Sequence, residues 1–464
     1  MKAVLRRLHC EFRHAARSRA VVMALVLVVV AGAVAAHLGA ADVADTQRDL
    51  AALDGEIDAQ ELKLRSVHRA DADVGLIGYF LTFPTKHEPS PWAALSAGVS
   101  SAFPYSQHLR LLGLVPQLDS EATGSPGIAS LGRFDLSFVI VFLVPLLIIA
   151  LAHDIATRDD ELGIGSLVAA QPLSTFQLVV ERLFAVGILL AGVIGLLVGL
   201  AAAIAGVKFD HTLATWLGLA LLYAAFWLVA VLAVVAGSKT SISALLRLIG
   251  LWITLCIVVP AVLNAIVLTF FPLPGGVLAT VEQRQFMNAG WDKAKAATME
   301  PFLARRTEYA DVSIPQERFS WPWYYAMHEV GDQQVAEQIA SHRAQLERRA
   351  QTLERLSALA PPIALQLAFD RLARTDMLTY LRHGDSIAAY HEELKGFFYP
   401  LIFAEAKLHS LRFTDIPRHH YSPPKTGTIP GFLALSIVAA TGILGLGIPW
   451  FRRRLNRSSI HHDD

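Results

Sequence analysis

The residues best suited to contact a partner form an acidic cluster in a chain that is otherwise poor in charge. Asp159, Asp160 and Glu161 stand together and are followed closely by apolar side chains and a glycine. These following residues are Leu162, Gly163, Leu167 and Val168. Because acids suit the first turn of a helix, the pattern predicts a short amphipathic helix that ends at the turn Gln171-Pro172-Leu173-Ser174. Such a helix can dock a partner, or it can be a capped loop between two membrane spans.

Catalytic and fuel-binding signatures do not accompany this cluster. The sequence has no GxxxxGK[ST] loop to hold the phosphates of ATP, and its apolar blocks carry almost no ionisable residue at their centres. His419 and His420 have no third and fourth ligand at a spacing typical of zinc. We therefore expect no catalytic site, no metal site and no cofactor bound by this chain, with energy supplied by a partner.

The composition identifies the elements that must position the cluster. Of the 464 residues, 54% are hydrophobic and 17% are charged, whereas soluble domains carry about 25% charged residues. The apolar residues form six blocks long enough to cross a bilayer as helices. These blocks are residues 20–38, 134–153, 183–207, 213–236, 248–271 and 430–450. The first is longer than a signal-peptide core, so we interpret it as a retained anchor, and Pro145 and Pro260 predict kinks.

Basic residues indicate the orientation of these blocks. Six Lys or Arg residues precede the first block and four follow the last. Since Lys and Arg concentrate on the cytoplasmic side, both ends are expected in the cytoplasm, and the number of spans must be even. Residues 1–19 then form a cytoplasmic elbow helix, 154–182 a cytoplasmic coupling helix, 451–464 a cytoplasmic tail, and 39–133 and 272–429 two periplasmic insertions.

Both insertions have helical patterns. Apolar residues recur at helical spacing over 42–69 and 333–359, and residues 422–427 predict a linker into the last span. The aromatic run 321–325 fits a ligand platform, a membrane belt or a buried core, and core packing explains it best. We therefore expect an all-α membrane protein of six transmembrane helices with a mainly helical periplasmic domain built from the two insertions.

The segment 158–174 resembles the coupling region of type-2 ABC exporter permeases, the family that includes the permeases of nitrous-oxide-reductase maturation and of gliding motility. That region has the pattern E-R-E-x-G-T-L-x-x-L-L-x-x-P-x-S. The matching positions here are Asp160, Glu161, Gly163, Pro172 and Ser174. The chain departs from the pattern by having Asp159 and Asp160 in place of Glu, and Ile164-Gly165 in place of Gly-Thr. The resemblance implies that the acidic cluster and its apolar neighbours dock on a separate ATPase.

Two further parts of the chain resemble the same family. Glu11, Arg13 and Arg17 match its interfacial elbow helix, although basic residues there also fit a plain positive-inside anchor. Segments within 356–391 resemble a subgroup with a large helical periplasmic insertion of unknown function. In this chain Arg374 replaces the glycine of that subgroup.

These resemblances imply the permease subunit of an ATP-driven exporter in a bacterial inner membrane. The expected partners are a dimer of separate ATPase subunits, which carry ATP and Mg, a second permease, identical or related, and the lipid bilayer. The formal net charge is zero, so nothing predicts nucleic acid as a partner. The alternative is a mechanotransmission or assembly device in which nothing crosses the bilayer, and a membrane enzyme is a weaker third interpretation.

The predicted orientation places Leu359 and the C-terminus on opposite sides of the membrane. A reporter fused after Leu359 should be active outside the cytoplasm and one fused at the C-terminus inside it, because a single span separates the two positions. Paired alkaline-phosphatase and green-fluorescent-protein fusions measure both locations in whole cells. The same location for both fusions would contradict the topology.

Overall fold

The computed structural model describes residues 2–120, 134–171, 173–272, 276–422 and 431–458. Pro172 of the predicted closing turn, part of the first insertion, most of the linker and the end of the predicted tail lie outside these ranges. Within the described residues the chain is almost entirely helical, with one pair of four-residue strands.

Five helices are long and apolar enough to cross a membrane. They are Arg19–Val67, Thr175–Ile204, His211–Val235, Ser241–Phe270 and Gly431–Asn456. A further apolar helix, Leu136–Ala152, is shorter. The chain is therefore a multi-pass membrane protein, and the predicted all-α class is confirmed.

The elements follow one another along the chain with short connections. Up to the second apolar block they are α1 (Lys2–Arg17), α2 (Arg19–Ala52), α3 (Glu56–Val67), α4 (Val74–Phe80), β1 (Phe83–Lys86), β2 (Ser106–Leu109), α5 (Val115–Ser120) and α6 (Leu136–Ala152). The middle of the chain forms α7 (Arg158–Glu161), α8 (Gly165–Ala169), α9 (Thr175–Ile204), α10 (His211–Val235) and α11 (Ser241–Phe270). The remaining helices are α12 (Gly276–Gly290), α13 (Ala296–Arg305), α14 (Trp321–Gln334), α15 (Ala336–Leu356), α16 (Pro361–Ala373), α17 (Met377–Phe403), α18 (Gly431–Gly445) and α19 (Ile448–Ser458).

Several helices extend beyond the apolar blocks that predicted them. α2 does not stop at residue 38 but continues to Ala52, because the Ala, Leu, Gln and Arg residues that follow are good helix formers. α11 begins at Ser241 rather than at residue 248, since the hydroxyl of Thr240 accepts from the Ser243 N–H and caps the helix there. The predicted tail is helical as far as Ser458.

α6 lies among the other membrane helices and contains the first predicted kink. A π turn precedes Pro145, whose missing N–H leaves the preceding turn short of an intrahelical donor. The carbonyl of Val141 accepts instead from the hydroxyl of Tyr223 at 2.9 Å, and the carbonyl of Phe142 accepts from the indole N–H of Trp252 at 3.2 Å. Neighbouring helices α10 and α11 thus supply hydrogen bonds to the interrupted helix.

The two predicted insertions share one hydrophobic core. Its buried side chains include Ile57 and Phe83 from the first insertion and Trp323, Tyr325 and Phe398 from the second. Residues 53–118 and 276–422 are called the helical domain here. Because the side chains of Trp323 and Tyr325 are buried in this core, core packing is the correct interpretation of the aromatic run.

The helical domain is joined to the membrane helices through α16. The ring of Phe369 stacks on Trp216 of α10, with 3.9 Å between centroids and 3° between planes. Beside this stack the carboxyl of Asp370 accepts from the Ser96 hydroxyl at 2.6 Å and from the Gln366 amide at 2.9 Å. A buried polar cluster of this kind fixes one arrangement of the segments that it connects.

Burial raises the pKa of Asp370 to about 7, and the nearby carboxyls of Asp135 and Asp376 raise it further by repulsion. The folded protein therefore holds this proton more tightly than the unfolded chain. The resulting stability is complete at low pH and is lost as the pH rises through about 7.

Replacing Asp370 by Asn removes this titration. The melting temperature of the wild type should therefore fall relative to that of Asp370→Asn by roughly 4 °C between about pH 5 and about pH 8. Differential scanning fluorimetry in detergent measures the difference, with the exposed Asp311→Asn as control. A difference that does not change with pH would show that Asp370 is already ionised in the fold.

Candidate functional site

The docking segment, residues 158–171, forms two short helical turns and not the single predicted helix. Gly163 has φ 72°, a conformation that glycine adopts without strain. Its N–H donates to the carbonyl of Asp160, and the N–H of Ile164 donates to that of Asp159, both at 3.0 Å. These two bonds are a Schellman motif, which ends α7 and redirects the chain into α8.

The predicted coupling helix also ends earlier than residue 182. The hydroxyl of Ser174 accepts from the Gln177 N–H at 3.2 Å, and the Gln177 side chain accepts from the Ser174 N–H at 3.1 Å. This capping box starts α9. Residues 175–182 therefore belong to a membrane helix, and Glu181 and Arg182 lie near its beginning.

Arg182 connects three parts of the chain. Its guanidinium lies 3.3 Å from the carboxylate of Glu11 in α1 and 2.9 Å from that of Asp159 in α7. It also donates to the carbonyl of Ile155 at 3.1 Å. The side chains of Arg182 and Asp159 are only 11% and 14% exposed. Asp159 is therefore an internal structural residue and not part of an accessible docking surface.

A second ion pair joins α1 to α9. Arg7 donates to both carboxylate oxygens of Glu181, at 2.6 and 2.8 Å. Arg13 and Arg17, which were grouped with Glu11 in the elbow helix, are exposed. The sequence analysis did not single out Arg7 or Arg182, although basic residues in α1 and a Glu-Arg pair at the membrane entry of α9 were an available signal.

Glu161 connects the docking segment to α11. Its carboxylate oxygens accept from the backbone N–H and the hydroxyl of Ser241, at 2.7 and 2.8 Å. The backbone bond and then the hydroxyl bond lower the pKa of Glu161. Since Ser241 is the first residue of α11, Glu161 satisfies a free N–H at an end of the helix where negative charge is favourable.

The accessible surface of the docking segment is mainly apolar. Leu162, Ile164 and Leu167 are 66%, 43% and 72% exposed, and these three residues are called the apolar trio here. Asp160 and Gly163 are exposed beside them, whereas Val168 is half-buried. The structure thus keeps Leu162 and Leu167 of the predicted surface together and adds Ile164, which was not predicted.

The arrangement fits docking better than catalysis. Among the described residues, no group of three His, Cys, Asp or Glu side chains is placed to hold a metal ion. His419 accepts from the Lys86 N–H at 3.0 Å and lies 3.2 Å from the Ser386 hydroxyl, so its ring nitrogens have protein partners. Cys10 and Cys256 are free thiols.

Residues 277–422 match a family described as a domain of unknown function (DUF3526). The match covers the second part of the helical domain and includes neither the docking segment nor the membrane helices. No curated protein and no solved structure matches the chain.

Replacing Arg182 by Ala should destabilise the protein by roughly 3 kcal/mol, because it leaves Glu11 and Asp159 without their shared cation in a largely buried position. Chemical unfolding in detergent measures the loss, and Arg452→Ala, at an exposed position of α19, is the control. The effect should be smaller in an Asp159→Asn background, where one of the two carboxylates is already neutral. Equal stability of Arg182→Ala and Arg452→Ala would contradict the network.

Proposed function

We propose that the chain is the permease subunit of an ATP-driven ABC exporter, and that a separate ATPase subunit docks on the apolar trio. ATP and Mg belong to the ATPase subunit. The observation that carries the proposal is that the trio lies on a segment bonded to α1, α9 and α11. A partner held there would contact several membrane helices through one surface.

The chemistry of the trio suits a groove on another protein. Burial of one exposed Leu or Ile side chain contributes about 2 kcal/mol. Charged residues at the rim, such as Asp160, contribute orientation and association rate more than affinity. The apolar side chains should therefore account for most of the binding free energy.

Motion of a bound ATPase has direct routes into the membrane helices. α7 is linked through Asp159 to Arg182 near the beginning of α9, and through Glu161 to Ser241 at the beginning of α11. α1 is linked to the same guanidinium through Glu11. A displacement of the docking segment would therefore act on both spans and on the elbow helix together.

The proposed topology has six spans, both ends in the cytoplasm of a bacterium and the helical domain in the periplasm. α6 serves as the sixth span, since its 17 residues (136 to 152) reach about 25 Å and it is buried among the other helices. Asn456 of α19 accepts from the Phe176 N–H at 3.2 Å. α19 therefore lies at the same end of the membrane helices as α1 and the docking segment, as the basic residues at both ends require.

A second permease subunit, identical or related, completes the proposed transporter. In the most apolar windows of Ser241–Phe270 and Gly431–Asn456, 17% of residues are buried, compared with 56% for His211–Val235. The outward faces of these two spans are available to the lipid bilayer and to the second subunit.

A mechanotransmission or assembly device is the second candidate, and the length of the first span favours it. The helix Arg19–Val67 has 49 residues, which corresponds to roughly 70 Å, more than twice the apolar thickness of a bilayer. Its far part enters the core of the helical domain through Ile57 and Leu64. In this case ATP hydrolysis would rearrange the helical domain without a translocated substrate. Inside-out vesicles separate the two candidates, because only an exporter accumulates a compound.

Replacing Leu167 by Asp should reduce recovery of the ATPase at least tenfold, because a charge is then forced into an apolar contact. Glu161→Lys should have a smaller effect on recovery and should uncouple hydrolysis from transport. The tagged chain is purified from its native membranes, and the bound ATPase is detected by photolabelling with 8-azido-ATP.

The matched control is Leu359→Asp, at a 66% exposed leucine of the helical domain, which should recover the ATPase at the wild-type level. Wild-type recovery and full coupled activity of both docking-segment variants would exclude this surface. The elbow helix around Glu11 would then be the next surface to test.

A further inference from the structure

A cavity of about 690 Å³ lies where the helical domain meets the turn between α9 and α10. Its walls include Leu53 at the end of α2, Trp92 after β1, Thr212 at the beginning of α10, and Tyr421 after α17. Its volume is within the range of small-molecule sites. The 30 residues of α9 separate it by roughly 45 Å from the docking segment, so the two places are distinct.

Most of the charges around this cavity are already compensated. The Lys86 ammonium bonds the carboxylate of Asp54. Arg418 donates to the carboxylate of Asp58 at 2.7 Å and to the carbonyl of Asp54 at 3.1 Å. Asp210 is occupied in capping α10. These groups therefore hold the walls together and leave little free charge for a ligand.

Arg374 is the exception. Among the described residues, no carboxylate lies within salt-bridge distance of its side chain, and its Nε is buried without an acceptor. Its backbone has φ 60°, a conformation that is strained for a residue with a side chain. The hydroxyl of Tyr421, which also lines the cavity, is likewise buried without a partner in the described part of the chain.

Two unsatisfied buried polar atoms beside one cavity require a partner of matching chemistry. Arginine presents several N–H donors in a planar fork that suits the oxygens of a phosphate, and the Tyr421 hydroxyl adds a further donor. Burial lowers the pKa of His419 to about 4, so this neighbouring ring is neutral near pH 7. The positive charge available to a ligand therefore comes from Arg374.

The remaining lining is suited to an apolar body. Leu53, Ile57 and Trp92 contribute hydrocarbon and an indole ring to the same cavity. The cavity also borders Thr212 in the first turn of a membrane-spanning helix, where the headgroups of a bilayer would lie. A ligand that combines a phosphate with an apolar part matches both kinds of wall.

We propose that this cavity binds a phosphate-bearing amphiphile, whose phosphate contacts Arg374 and Tyr421 and whose apolar part packs against Leu53, Ile57 and Trp92. The phosphate group is either that of a membrane lipid or that of a soluble phosphate ester. The inference does not rest on the ATPase docking proposed above, because it concerns the opposite end of α9.

The test uses the full chain in detergent with dihexanoylphosphatidylglycerol as the probe. This probe should raise the melting temperature of the wild type, whereas dihexanoylglycerol, which lacks the phosphate, should not. In Arg374→Gly the affinity should fall at least tenfold, and Tyr421→Phe should weaken binding less. Arg382→Ala, which removes an exposed positive charge from the same domain, should bind like the wild type.

The glycine variant also separates loss of binding from loss of folding. Because glycine adopts a positive φ without strain, Arg374→Gly should melt at a higher temperature than the wild type when no probe is present. A variant that is more stable but no longer responds to the probe therefore supports a direct contact. Unchanged affinity in Arg374→Gly, or no response of the wild type, would overturn the proposal.

Native mass spectrometry distinguishes the two sources of the phosphate. A phospholipid that copurifies with the wild type and is absent from Arg374→Gly would identify a lipid of the bilayer. Binding of the added probe without any copurified phospholipid would identify a soluble ester, and both results support the proposed chemistry. Stabilisation by inorganic phosphate equal to that by the probe would contradict the role of the apolar wall.

Discussion

The guanidinium of Arg182 lies between the carboxylates of Glu11 and Asp159, close to where α9 enters the apolar part of the chain. A charged group with little access to water must find its counter-charge within the protein, because its desolvation is otherwise too costly. That requirement holds the elbow helix, the docking segment and a membrane-spanning helix in one arrangement. The exposed side chains of the docking segment are presented in a fixed way only because its acidic residues are held from behind.

The same requirement governs the opposite end of the molecule. Asp370 is buried where α16 meets the membrane helices, and Ser96 and Gln366 supply its hydrogen bonds. The stacked rings of Phe369 and Trp216 close the apolar side of this joint. Polar and apolar contacts therefore act together there. The helical domain is attached at this joint as well as through the continuation of the first span, so it is held to the membrane helices at more than one point.

Local features of the sequence were enough to predict the class of the protein and most of its spans. Length and apolarity act residue by residue, and they identified five helices that are long enough to cross a bilayer. The end of α2 was missed because residues beyond 38 are less apolar but remain good helix formers. The break at Gly163 was missed because a glycine within an amphipathic pattern does not by itself reveal a positive φ.

The contacts of the docking segment could not be obtained from the sequence in the same way. Glu11 and Arg182 are 171 positions apart, and Glu161 and Ser241 are 80 apart. Charge alone does not identify such pairs in a chain with 40 basic and 40 acidic residues. The acidic cluster was correctly singled out, but the division between residues that face inward and residues that face outward depends on the tertiary arrangement.

The π turns before Pro145 and Pro260 have a consequence for how the membrane helices can move. A π turn holds one residue more than an α turn. Its conversion to α geometry would rotate the following part of the helix by about 100° and shift it by about 1.5 Å. α6 and α11 touch through Phe142 and Trp252, so a change of rotational register in one would be transmitted to the other. Such a step would exchange the side chains that face the centre of the bundle while both helices remain continuous.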